Sequence, residues 1–132
     1  MEKIYILKDP VEGFSHPEKI FNNIKKFNIE FSQENFIIFY LDTKNKIIDS
    51  EVLFKGGLNS CLIDPKTLFR QALIKNSNAV IIAHNHPSGD LNPSDEDEDV
   101  FKQLKTAGEI IQIKVLDFII FNETQYYSLR RC

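Results

Sequence analysis

Val80-Ile81-Ile82-Ala83-His84-Asn85-His86-Pro87-Ser88-Gly89-Asp90-Leu91-Asn92-Pro93-Ser94-Asp95-Glu96-Asp97 is an apolar run that stops at two histidines, turns through a Pro/Gly/Asn loop and restarts at a serine followed by acids. The apolar part, from Ala79, is β-branched and short, which is the pattern of a strand buried on both faces. Ser94 reads as the cap of the next helix, with Asp97 at its third position completing a capping box. Val100, Phe101, Leu104, Ala107 and Ile111 repeat at helical spacing behind it, and Gly108 is a candidate end point. Another apolar strand, Ile113 to Phe121, follows this helix, so strands here are separated by a helix.

Upstream, Phe36 to Leu41 is a second fully apolar strand, and Asp42-Thr43-Lys44-Asn45-Lys46 supplies turn chemistry for a hairpin back through Ile47 to Phe54. Asp64-Pro65 starts a helix with the stripe Leu68, Phe69, Ala72, Leu73, and Asn76-Ser77-Asn78 ends it. Ser15-His16-Pro17-Glu18 starts an earlier one, with Ile20, Phe21, Ile24 and Phe27 on its apolar side. Tyr126 to Leu129 reads as a last short strand. Hairpins and helix crossovers together predict an α/β fold with a mixed sheet covered by helices.

One domain suits 132 residues, and 42% hydrophobic with 27% charged is an ordinary globular balance. A net charge of −3 argues against a broad nucleic-acid surface, whose affinity comes from phosphate neutralisation. Lys25-Lys26 and Lys44/Lys46 read as solvated surface. Cys61 and Cys132 form no disulfide framework, so a reduced, cytoplasmic location is expected. The first residues lack the features of a signal peptide, and no apolar run approaches the roughly 20 residues of a membrane span.

Alternation along a strand turns His84 and His86 to one face, where two imidazoles can share a metal. Two polar rings at the end of an apolar strand need partners, which favours a metal over a purely structural role. Asp97, eleven residues after His86, serves equally as a helix cap or as a third ligand. Two imidazoles and a carboxylate form a normal zinc set that leaves a fourth position for water, whose pKa zinc lowers towards about 7. Hydrolysis would also need a proton carrier. Glu51, on the hairpin's return strand, shares a face with Ile47 and Leu53 by alternation, and either points to solvent at an edge or serves a site.

His84-x-His86-Pro87 and Ser94-x-x-Asp97, with an acid upstream, resemble the JAMM (JAB/MPN) metalloprotease motif. Leu41-Asp42-Thr43-Lys44-Asn45, Glu51-Val52-Leu53-Phe54-x-Gly56, Ala83-His84-Asn85-His86-Pro87-Ser88-Gly89-Asp90, Val115-Leu116-Asp117 and Tyr127-Ser128-Leu129-Arg130 resemble the RadC-like branch. The resemblance covers residues 31–131 and divides the chain into a flank with one short helix, 1–30, and a JAB/MPN domain, 31–132. It implies the MPN fold, a curved mixed sheet flanked by helices. It also implies zinc held by His84, His86 and Asp97, Glu51 as general acid/base, and Ser94 as donor to the oxyanion.

The implied activity is that of a zinc metallopeptidase: hydrolysis of a peptide or isopeptide bond in a protein or peptide substrate. Two departures stand out: the family commonly has Gly where this chain has Gln112, and His where it has Phe118. Full-length relatives carry a helix-hairpin-helix-like region, and a DNA-directed role belonging to that region does not carry over. The alternative is a DNA-repair-associated module that keeps the zinc fold for partner binding without peptidase turnover. Zinc deamination is disfavoured, because His-x-Glu and Pro-Cys-x-x-Cys are absent.

Overall fold

The computed structural model describes residues 16–56 and 63–131. Eight regular elements follow one another: α1 (Pro17–Ile24), β1 (Asn35–Leu41), β2 (Ile47–Lys55), α2 (Pro65–Ile74), β3 (Ala79–Asn85), α3 (Asp95–Ile111), β4 (Lys114–Phe121) and β5 (Tyr126–Ser128), with a closing 3₁₀ turn over Leu129–Arg131. The sheet has the order β2-β1-β3-β4-β5. Only β3 and β4, joined through α3, run parallel; the other neighbours are antiparallel. A two-strand hairpin fused to a β-α-β crossover thus gives the mixed sheet that the sequence predicts.

Every residue of β1 and β3 is buried, because these strands carry helices on both faces. On one face Leu68, Phe69 and Ala72 of α2 and Phe101 and Leu104 of α3 meet Phe36, Ile38, Tyr40, Val80, Ile82 and Phe118. On the other, Ile20, Phe21 and Ile24 of α1 meet Ile37, Phe39, Leu41, Ala79, Ile81 and Ala83. Among the described residues, no helix is long and apolar enough to cross a membrane.

Local chemistry sets the element ends. Asp64 caps α2, accepting from the Lys66 amide at 3.2 Å and the Thr67 hydroxyl at 2.8 Å. Asp42 closes the hairpin turn by accepting from the amides of Lys44 (2.8 Å) and Lys46 (2.9 Å). Ser94 caps α3 as expected.

Several expectations are corrected. Helix α1 has His16 at its N-cap position with no side-chain cap, and Ser15 lies outside the described residues. Phe27 falls beyond the end of α1. Leu73 and Ile111 are exposed rather than part of their helices' buried stripes. The last strand stops at Ser128, before Leu129. Gly108 does not end α3: the helix runs on to Ile111, and Gly108 is where it touches the incoming β4, since a Cβ there would lie 2.3 Å from the Ile113 carbonyl oxygen. Glu51 does not share a face with Ile47. The pairing slips by one residue between Tyr40 and Leu41, so Ile47 pairs with Leu41 on one face and Glu51 with Ile38 on the other.

Candidate metal centre

At the end of β3, His84, paired with Phe36 and Ile120, and His86, just past the strand, turn their side chains towards α3. His84 is clamped: the Phe36 ring stacks on it at 4.6 Å and 9°, and Phe118 meets it edge-on at 5.3 Å. His86 stands perpendicular to it, with ring centroids 4.8 Å apart. The loop after Pro87 returns the chain so that α3 starts directly over the two rings. Asp97 then reaches both, with Oδ1 2.8 Å from His84 Nε2 and Oδ2 2.9 Å from His86 Nε2. Donor atoms of the three residues all lie within 4.8 Å of one another.

Asp97 holds its place through the capping box. Ser94 Oγ accepts from the Asp97 amide at 3.0 Å, and Asp97 Oδ2 accepts from the Ser94 amide at 2.8 Å. Cap and cluster member, the two alternatives for Asp97, are therefore compatible. Ser94 Oγ uses a lone pair on the Asp97 amide, which leaves its O–H free to donate. Burial by itself would raise the Asp97 pKa; the two imidazoles and the Ser94 amide outweigh burial and hold it well below the usual carboxylate range.

The ring nitrogens carry the test of whether a cation fits. His86 Nδ1 lies 2.8 Å from the Asp90 carbonyl, which can only accept, so Nδ1 bears the proton. Nε2 then faces a carboxylate oxygen with its lone pair unless the ring takes up a second proton. The Asp97 contact does push the His86 pKa up; burial opposes that, and the Asp90 carbonyl and the Glu34 charge reinforce it. His84 is 1% exposed, and neither of its nitrogens has a directed hydrogen-bond partner among the described residues, short as the approach of Nε2 to Asp97 is. Buried polar atoms without partners are costly, and a cation shared by both histidines and Asp97 would satisfy them. An imidazole held by a backbone carbonyl through its second nitrogen is also the usual support of a metal-ligating histidine. The donor set fits a zinc ion.

A cavity of about 290 Å³ opens on the cluster, lined by His84, His86, Ser94 and Asp97 together with Phe36, Phe118, Ile63, Val100 and the acids Glu34, Glu96 and Asp99. Glu51 is not among its lining residues. Its carboxylate instead accepts from the Tyr40 hydroxyl at 2.7 Å, and burial, followed by this bond and the nearby charges of Glu51 and Asp49, drives the Tyr40 pKa far above the usual phenol value.

Glu34 is the acid that sequence reasoning missed. Phe36 pairs with His84 in antiparallel register, and Glu34, just before β1, lines the same cavity as His86 and adds to the charge that raises the His86 pKa. Its backbone is tied on both sides. The Gly56 amide donates to the Glu34 carbonyl at 2.8 Å, and buried Asn85 accepts from the Asn35 amide at 2.9 Å and donates to the Gln33 carbonyl at 3.0 Å. The sequence signal was an acid just before an apolar strand, legible only once β1 is known to lie beside β3.

A mixed sheet between helices, with a His-x-His strand end facing an aspartate on the following helix, defines a JAB/MPN-type domain. The family profile described as RadC-like JAB domain matches residues 14–132, and the chain belongs to that family. It is 42% identical over 113 residues to a UPF0758 protein of Staphylococcus haemolyticus, covering 86% of this chain and 50% of that one. It is 39% identical over 124 residues to a UPF0758 protein of Methanosarcina mazei, covering 94% and 54%. A third, from Clostridium perfringens, is 44% identical over 98 residues, covering 74% and 43%. The chain spans about half the length of the relatives it matches.

Proposed function

We propose that this chain is a zinc-dependent metallohydrolase that cleaves peptide or isopeptide bonds in a protein or peptide substrate. The observation that carries the reading is His84, buried with Nδ1 unpartnered and Nε2 facing only the Asp97 carboxylate at 2.8 Å, beside a second histidine at one cavity floor. His84, His86 and Asp97 would hold the ion. Bound there, zinc supplies the Lewis acidity that makes water a nucleophile near neutral pH and leaves one coordination position open.

The chain's own groups divide the remaining work. A carboxylate near the water but outside the ligand set takes its proton and passes it to the leaving nitrogen. Glu34, which lines the cavity, suits this role better than Glu51, which is engaged with Tyr40 on a strand further out. Ser94, its hydroxyl hydrogen unused by the cap, donates to the oxygen of the carbonyl under attack. Phe36 and Phe118 exclude water from the buried side of His84 and fix its ring.

Zinc titration with calorimetric detection, followed by cleavage of a peptide library, tests the reading. One zinc per chain is expected, lost in His84→Ala. Glu34→Gln should cut turnover by about 10²–10⁴-fold with zinc retained, as loss of a general base does. Glu51→Gln should keep most of it; the reverse pattern returns the role to Glu51. Zinc bound with no cleavage of any peptide would favour the partner-binding module without turnover, and undiminished zinc binding by His84→Ala would refute the site.

A further inference from the structure

The loop that follows His86 is exposed from Pro87 to Asp90, and most of the hydrogen bonds that shape it are internal. The Gly89 amide donates to the His86 carbonyl at 2.8 Å, closing a turn with Pro87 at its second position. The Asp90 amide donates to Ser88 Oγ at 3.2 Å, and the Asn92 amide to Asp90 Oδ1 at 3.1 Å. Among the described residues, one hydrogen bond ties the loop to a distant part of the chain. Asn122 Nδ2, 33 residues further on, donates to the Gly89 carbonyl at 2.9 Å.

Asn122 is itself fixed. It follows β4, whose last residue, Phe121, pairs with Asn85 immediately before His86. Its Oδ1 accepts from the amides of Thr124 (2.9 Å) and Gln125 (2.8 Å), and its own backbone amide donates to the Gln125 carbonyl at 2.9 Å. The side-chain oxygen thus closes the β4–β5 turn, and the side-chain nitrogen is the arm that reaches the loop.

Gly89 is where the loop needs an anchor. At φ +84°, with nothing within 4 Å of where a Cβ would stand, neither a side chain nor packing fixes the backbone. Holding the Gly89 carbonyl fixes the plane of the Gly89–Asp90 peptide. The next carbonyl, that of Asp90, lies 2.8 Å from His86 Nδ1 and accepts its proton. That bond sets the orientation of the ring and leaves Nε2 facing Asp97 at 2.9 Å.

We infer that Asn122 is a positioning residue for His86: through Gly89 and Asp90 it holds the imidazole with Nε2 turned to the cation position. Its consequence for zinc affinity rests on the reading of His84, His86 and Asp97 as ligands; its hold on the ring does not.

Two neutral variants of the full chain separate this role from a general one in folding. Asn122→Ala removes both the turn acceptor and the arm. Asn122→Ser keeps a side-chain oxygen for the turn amides and removes the arm alone. In the zinc-free protein, long-range proton–nitrogen NMR should detect the His86 Nδ1 proton in the wild type and lose it to solvent exchange in both variants. Calorimetric titration with zinc alone should show both binding about five-fold more weakly, the order that one hydrogen bond supplies. An unchanged affinity in both variants, a loss confined to Asn122→Ala, or a His86 Nδ1 proton that persists in Asn122→Ser would each overturn the inference. A wild-type chain that binds no zinc, yet loses the His86 proton in both variants, keeps the positioning role and loses the metal reading.

Discussion

Gly108→Ala is a substitution whose sign depends on the tertiary structure. In an exposed helix interior, alanine is better than glycine by about 1 kcal/mol. Here the new Cβ would lie 2.3 Å from the Ile113 carbonyl oxygen and 3.2 Å from Val115 Cγ2. The nearer atom is backbone, and Ile113 is itself tied back by its amide to the Gly108 carbonyl at 2.9 Å, so it cannot swing aside as a side-chain tip would. Relief requires α3 to lift from the start of β4. Overpacking of this kind costs about 1–3 kcal/mol, here at the upper end, and the helix gain offsets about 1, for a net loss of about 2 kcal/mol.

For a domain of this length that is a fall in Tm of roughly 8 °C, read by circular dichroism and checked by urea titration at unchanged m. Gly89→Ala is the contrasting case. Gly89 has φ +84° with nothing within 4 Å, so its cost is backbone strain alone, about 1–2 kcal/mol. A Gly108→Ala protein as stable as the wild type, or more so, would refute the packing argument.

Three further outcomes follow from single residues. Gln112 closes α3 with φ 63°, the left-handed conformation that glycine adopts without penalty, so Gln112→Gly should raise stability by about 0.5–1 kcal/mol in urea, and a loss would count against the cap. Asp117 is buried, and burial raises its pKa despite hydrogen bonds from the Ser128 hydroxyl and the Phe118 and Arg130 amides. A carboxyl whose folded pKa is raised contributes stability that is complete below its unfolded value of 3.8 and is lost as pH climbs through the folded pKa. The Tm of the wild type relative to Asp117→Asn should therefore fall between pH 4 and neutrality, and a constant difference would contradict this. Asn85→Ala strips the buried Asn35 amide of its acceptor, which should cost about 2–4 kcal/mol in urea; unchanged stability would refute that anchoring role.

Much of this was legible in one dimension because the signals are local. The alternation that turns His84 and His86 to one face, the Ser94–Asp97 capping box, the Asp64-Pro65 helix start and the Asp42 turn each depend on residues a few positions apart. The family motif added the grouping of histidines and aspartate, which the structure brings together at 2.8–2.9 Å. Strand pairing is not local, and it decided the rest. A one-residue slip beside Leu41 carried Glu51 to the face opposite Ile47, and the pairing of β1 with β3 set Glu34, an unremarked acid in the chain, on the cavity that His84 and His86 line. Gly108 and Gln112 likewise took their meaning from how closely α3 approaches β4 and how it ends there, because a glycine's need for space or for φ > 0 is set by what lies against it.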